Sequence, residues 1–390
     1  MFIIVVLLLT SSVATSTYEP LRIHVISAFG PLPLPIQDSL IESLESLSTS
    51  ISVLKDSSRI EWSEIIDATS EYKQISWIYA LSGQFEENLH VNGKRIDEFL
   101  NAADFLIVMQ RNSRACGKDS TLLASAKPYF DGGQHKRPRI GLMNVCVDSP
   151  IWKEFRAHVD LFRHEILHAL GFGTFYAGDS DKRGPPKEKH AWQTERGVKV
   201  LRNRTFLDFS SSALKEASKH FGCPKLKGIE AENDKKIHLN EYVYGNELMT
   251  PRLSNTKNFF TFISASILEE TFFGAKQWYM VNRTAILAEQ TAYWYGKGGG
   301  CKFAQGSCHE FIRHREKASQ TTFPFCSRVI NNCINRDGYE ERLSTYCRKN
   351  HINKAIATAV SDDSAYRSCP FDEDFLNDSL PPKFKATVCT

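Results

Sequence analysis

What this 390-residue chain lacks narrows its reading before any motif is considered. Neither sign of charge prevails, since 48 basic residues face 45 acidic ones. That balance gives no electrostatic footprint for nucleic acid or an anionic membrane surface. No apolar stretch reaches eighteen residues, so no transmembrane helix is expected. The C-terminal Lys383-Phe-Lys-Ala-Thr-Val-Cys-Thr390 also lacks the hydrophobic tail of a lipid-anchor signal. No Cys-x-x-Cys pair occurs, which leaves a zinc-ribbon reading without support. Internal repeats and low-complexity segments are missing too, and the length suits a large core in two or three domains.

What is present points outward from the cell. Phe2–Leu9 is an unbroken apolar run followed by the small-residue stretch Thr10–Thr17. It is too short to cross a bilayer and reads as a secretory signal cut near Ser16, although no Lys or Arg precedes it. Ten cysteines, an even number, fit an exported protein with disulfides, and seven of them lie from Cys301 to Cys389. Asn203, Asn282 and Asn377 begin N-x-S/T sequons that would be glycosylated in that compartment. The expectation is a secreted, extracellular glycoprotein.

Leu21–Ile26 alternates as a half-buried strand, and Ile36–Leu54 carries apolar residues near helical spacing up to the charged Lys55–Arg59 break. Ile75–Ala80, Asp104–Met109 and Arg139–Val145 read as further strands, the last expected nearest the functional site. Asp179–Lys189 reads as an exposed loop, and Lys297-Gly-Gly-Gly300 as a boundary. The expected division is a signal over 1–16, an N-terminal subdomain over 17–175, a middle segment over 176–299 and a disulfide-rich domain over 300–390.

The chemistry concentrates in Arg163-His-Glu-Ile-Leu-His-Ala-Leu-Gly-Phe172. His164 and His168 are four apart, one helical turn on the same face, where two neutral imidazoles can share a Zn²⁺. Glu165 then stands near the open coordination position as a general base. A helix is expected here: Asp148 and Ser149 are good N-caps and Pro150 suits the first turn. Trp152, Phe155, Val159, Phe162, Ile166 and Leu170 then give a buried stripe that Gly171 closes.

A catalytic zinc needs a third protein ligand. Six residues after His168 stands Thr174, which cannot serve, so the ligand lies downstream. His190, His220 and His238 are the histidine candidates, with Glu188 or Glu195 as carboxylate alternatives.

His238-Leu-Asn-Glu-Tyr-Val-Tyr-Gly-Asn-Glu-Leu-Met-Thr-Pro251 closely resembles the third-ligand and Met-turn segment of the leishmanolysin (invadolysin-like) metallopeptidases. Arg137–Asn144, Phe221-Gly-Cys223, Trp278-Tyr279, Tyr295-Gly296 and Gly300-Cys-Lys-Phe303 with Cys308 are similar to further family segments, in the same order. The resemblance implies an α+β, metzincin-type zinc protease with a twisted sheet, an active-site helix, an inserted domain and a disulfide-rich C-terminal domain. It implies zinc ligands His164, His168 and His238, general base Glu165, a Met-turn at Met249 and one Zn²⁺ per chain. It also implies a Cys223–Cys301 disulfide. Cys116 and Cys146 are then left to pair, and the remaining six allow fifteen connectivities, of which Cys308–Cys369, Cys326–Cys347 and Cys333–Cys389 is the expected one.

Three departures from the family are visible. Strand-like sequence begins at Leu21 and no cysteine precedes Cys116, so an enzyme active without prodomain trimming is expected. The chain is a short version compared with the family's lipid-anchored members. Residues 271–277 (TFFGAKQ) diverge from the family's approach to Trp-Tyr. The expected function is a secreted zinc endopeptidase acting on proteins or peptides. The competing reading is a catalytically silent binding or adhesion glycoprotein that keeps a structural zinc, for which Glu165 would have no use.

Overall fold

The computed structural model describes residues 17–27, 30–55, 62, 74–75, 77–79, 85–86, 89–90, 100, 102–111, 116–117, 122–130, 137–173, 184–193, 199–208, 211–254, 257–273, 276–320 and 322. The expected signal over 1–16, Thr174, Glu195, Asn377 and the tail cysteines from Cys326 onward lie outside the described residues.

Near-continuous apolar runs form the centre of the fold. β2 (Ile23–Ser27), β8 (Phe105–Gln110) and β10 (Ile140–Val145) are parallel neighbours, with Val25 opposite Ile107 and Leu142 opposite Val108. Strands covered on both faces have this composition. Antiparallel strands flank them: β9 (Ala124–Tyr129) beside β10, then β5 (Trp77–Tyr79) and β6 (Phe85–Glu86) beyond β2. The sheet order is β6-β5-β2-β8-β10-β9. The expected strand over 75–80 divides, because β4 (Gln74–Ile75) pairs instead with β7 (Leu89–His90).

α1 (Leu34–Ser50) buries Ile36, Leu40, Leu44 and Leu47 at helical spacing and packs against α2 (His158–Ala169). The helical reading of Ile36–Leu54 overruns. The chain leaves the helix at Ser50 and continues as β3 (Ile51–Leu54), where buried Ile51 and Val53 alternate with Ser52 and Leu54. A period of two with β-branched residues favours a strand there. β3 pairs with β1 (Tyr18–Pro20) and β15 (Tyr279–Val281) in a second sheet.

Downstream come the hairpin β11–β12 (Glu188–Gln193, Lys199–Arg204), α3 (Ser211–Phe221), α4 (Glu241–Tyr244) and α5 (Phe262–Glu269). They are followed by the short hairpin β13–β14 (Phe272–Phe273, Lys276–Gln277), α6 (Leu287–Ala292), α7 (Gly300–Gln305) and α8 (Cys308–Lys317). Of the expected loop Asp179–Lys189, residues 179–183 lie outside the described residues, and Glu188 and Lys189 belong to β11. The whole is an α+β arrangement. Disulfides join Cys116 to Cys146 and Cys223 to Cys301, as expected, and Cys308 is also disulfide-bonded. Among the described residues no helix is long and apolar enough to cross a membrane.

Candidate metal centre

The sequence reads 148–170 as one helix, but the chain builds it in two pieces. Pro150–Lys153 is a single 3-10 turn, Ser149 makes no side-chain cap bond, and α2 begins only at His158. The break has a local cause: the Trp152 indole N–H donates to the Cys146 carbonyl at 2.8 Å, and the His158 ring lies 3.1 Å from the Trp152 carbonyl. These bonds hold the tight turn beside the Cys116–Cys146 disulfide.

α2 is seated by two glycines. A Cβ at Gly141 of β10 would overlap the Ala169 methyl group, so the bare backbone lets the helix lie directly on the sheet. Gly171 ends the helix at φ +93°, and the Phe172 N–H returns to the Leu167 carbonyl while the Gly171 N–H returns to His168. This is the Schellman arrangement that frees the chain to turn sharply. A Cβ at Gly171 would stand 2.5 Å from the Phe273 ring, so Phe273 braces this turn from within the divergent stretch.

His164, Glu165 and His168 are all buried on α2. Desolvation pushes the His164 imidazole down to about 3 and His168 well below its ordinary value, so both are neutral at physiological pH. The His164 Nδ1 lies 2.6 Å from the Leu248 carbonyl, which can only accept, so Nδ1 carries the proton and Nε2 offers a lone pair. That Nε2 lies 3.0 Å from Nε2 of His168. Burial raises the Glu165 carboxyl to about 8, opposed by a hydrogen bond from the Ala126 backbone on β9.

The third ring is His238. An antiparallel bridge between Ala231 and Leu239 folds the chain back beside α2. The three histidines each offer a ring nitrogen within 4.8 Å of the others, and this is the metal-competent cluster among the described residues. The His238 ring stacks on His164 at 5.3 Å and meets His168 edge-on at 4.8 Å. Its Nδ1 lies 3.1 Å from the Glu232 carboxylate.

Met249 is fully buried, and its carbonyl accepts from the Leu239 N–H next to His238. The Glu247 carboxylate, also fully buried, accepts from the Met249 N–H at 2.7 Å and from the Thr261 hydroxyl at 2.9 Å. Neither Glu232 nor Glu247 was singled out by the sequence reading. The turn-forming Asn233-Asp234 between residues 232 and 238 was the available signal for the first.

The other candidates stand elsewhere. His220 stacks on Tyr293 at 4.5 Å and lies 2.8 Å from the Tyr295 carbonyl. His190 and Glu188 sit 3.6 Å apart on β11, and Glu188 pairs with Lys227. The strand expected nearest the site, Arg139–Val145 (β10), does not line the cleft. The cleft, about 1100 Å³, runs along residues 122–128 of β9 and its approach, with Ile237 and Arg252 opposite.

Three imidazoles converging through their ring nitrogens suit Zn²⁺. At Zn–N distances of about 2.0–2.1 Å, two ligands of a tetrahedral ion stand about 3.3 Å apart. The 3.0 Å between the His164 and His168 nitrogens matches that spacing within a few tenths of an ångström.

Comparison with known proteins decides the relationship. A sequence profile for the family described as Leishmanolysin matches residues 78–371. The chain belongs to the leishmanolysin family. It is 27% identical over 325 residues to a leishmanolysin-like peptidase of Caenorhabditis briggsae, covering 74% of this chain and 44% of that one. It is 28% identical over 289 residues to the Drosophila melanogaster leishmanolysin-like peptidase, covering 63% and 40%. For the Caenorhabditis elegans protein of that name the figures are 27% over 302 residues, 68% and 43%. The chain spans less than half the length of these curated relatives. Its leishmanolysin match includes α2, the Glu232–His238 turn and the segment through Met249.

Proposed function

We propose that this leishmanolysin-family chain is a zinc-dependent endopeptidase, with His164, His168 and His238 as ligands and Glu165 as general base. One observation carries the reading: three ring nitrogens within 4.8 Å share a cleft with a buried glutamate from the same helix. The family's dependence on zinc supports it. The metzincin arrangement, with an inserted segment over 176–299 and a disulfide-rich unit over 300–390, belongs to the same reading.

Bound there, the ion supplies Lewis acidity toward water and a peptide carbonyl. The rest falls to the chain. Glu165, adjacent to a ligand in sequence, accepts the proton from the attacking water. It then returns that proton to the leaving amine. The Leu248 carbonyl and the Glu232 carboxylate hold His164 and His238 by their Nδ1 atoms and leave each Nε2 free to ligate. The long cleft along β9 suits a stretch of polypeptide, so proteins or peptides are the proposed substrates.

Secretion is part of the proposal. The Cys116–Cys146 and Cys223–Cys301 disulfides support an oxidising compartment, and exposed Asn203 and Asn282 suit glycan addition.

The decisive test compares wild type with Glu165→Gln for casein hydrolysis, with and without a zinc chelator. The wild type should cut casein only without chelator, and the variant should keep its zinc but lose at least about a hundredfold in rate. A variant as active as wild type overturns the assignment of Glu165. Chelator-insensitive hydrolysis overturns the role of zinc.

A further inference from the structure

The third histidine is held differently from the other two. His164 and His168 rise from a packed helix, and the Nδ1 partner of His164 is an uncharged carbonyl. His238 sits on a turn at the edge of the cleft, its side chain 24% exposed, and its Nδ1 partner is a carboxylate. That carboxylate arrives by construction. Because Ala231 and Leu239 are bridged, residues 232 and 238 stand opposite each other, and the Glu232 N–H donates to the His238 carbonyl at 3.1 Å. Opposed residues of an antiparallel pair present their side chains to the same side. The Glu232 carboxylate therefore meets the imidazole at 3.1 Å.

The turn between them is fixed from several directions. Lys236 takes a left-handed backbone conformation, φ 55°, and its N–H returns to the Asn233 carbonyl. Its ammonium grips both oxygens of Asp208 at 2.9 and 2.8 Å. The Asn233 side chain accepts from the Lys235 N–H, while Lys187 pairs with Asp234. The nearby acids 208 and 234 thus have lysine partners, and Glu232 faces the histidine.

We propose that Glu232 is a positioning residue of the metal centre, acting on zinc through His238. This rests on the reading of His164, His168 and His238 as ligands. The carboxylate accepts from Nδ1–H, which fixes the tautomer and turns Nε2 toward His164 and His168. It also brings a carboxylate to a shell whose three ligands are all histidines. A carboxylate behind a ligating histidine makes the ring a stronger donor, and losing such a partner typically weakens metal binding about ten- to a hundredfold.

The test measures zinc affinity rather than activity. Wild type, Glu232→Gln, Glu232→Ala and His238→Ala are stripped of metal and titrated with zinc against a chromogenic chelator. The melting temperature of each metal-free protein is measured in parallel. Glu232→Ala should bind zinc about ten- to a hundredfold more weakly than wild type. Glu232→Gln, whose amide oxygen still accepts, should recover part of the loss. Metal-free melting temperatures should stay together, since the effect lies on the ligand rather than the fold. A Glu232→Ala protein that binds zinc within twofold of wild type, while His238→Ala loses it, overturns the inference and leaves the metal centre standing. If Glu232→Ala does not fold, Glu232→Gln decides, and affinity equal to wild type overturns it. A wild type that takes up no zinc overturns the metal-centre reading and this inference with it.

Discussion

An imidazole ligates only when neutral, and best when its second nitrogen is occupied. By that measure His238 and His220 part company. His238 turns a ring nitrogen toward two others, whereas His220 has a ring nitrogen 2.8 Å from the Tyr295 carbonyl and a face against Tyr293. His238→Ala should therefore lower bound zinc, measured by elemental analysis, far more than His190→Ala or His220→Ala. His220→Ala should instead lower folding stability by about 2–4 kcal/mol in urea titration, because it opens a cavity in a buried stack. At this scale the sequence was legible where neighbours are close along the chain. His164, Glu165 and His168 declare themselves through helical spacing, and His238 through the motif after it. Glu232 did not, because its partner lies across a bridge rather than one turn along a helix.

Elements place the site through their ends. α2 stops at Gly171, whose positive φ and contact with Phe273 both exclude a side chain. Gly171→Ala should cost about 2–4 kcal/mol, from left-handed strain and overpacking together. Phe273→Leu in the same chain should recover the packing share, as urea denaturation of the single and double variants would register. The loop through Met249 depends on Glu247, which ties the Met249 N–H to Thr261, the N-cap of α5. Glu247→Ala leaves buried donors without partners and should destabilise by about 2–5 kcal/mol. Helical periodicity and apolar runs revealed the α2 stripe, β2, β8 and β10. β9 escaped, although it borders the cleft. Its sequence Ala-Ser-Ala-Lys-Pro-Tyr is neither β-branched nor strongly alternating, and Pro128 is tolerated because this strand is a sheet edge.

At the scale of the whole molecule, covalent ties and buried titrating groups contribute to stability. Cys223–Cys301 closes 78 residues, and replacing both cysteines with serine should cost about 4 kcal/mol, seen as a lower urea midpoint. Burial holds His220 at about 4, with the Lys297 charge acting in the same direction and the Tyr295 carbonyl against it. The unfolded chain takes up this proton near the ordinary value of 6.5, the folded chain only near 4. Stability is therefore lost as pH falls from about 6.5 to about 4 and is complete above that window. In metal-free protein, wild type should lose more stability across this range than His220→Gln, by a difference on the order of 3 kcal/mol. Equal slopes would show that His220 does not contribute.

Residues 169–237 intervene between the second and third histidines, and this spacing bears on the order of events during synthesis. A growing chain presents His164 and His168 long before His238 leaves the ribosome. On the metal-centre reading, two imidazoles without the third hold zinc too loosely for catalysis. The third ligand then joins the other two only once the bridge at Ala231–Leu239 has closed. On that reading, a chain synthesised only as far as His168 could not yet hold a catalytic ion.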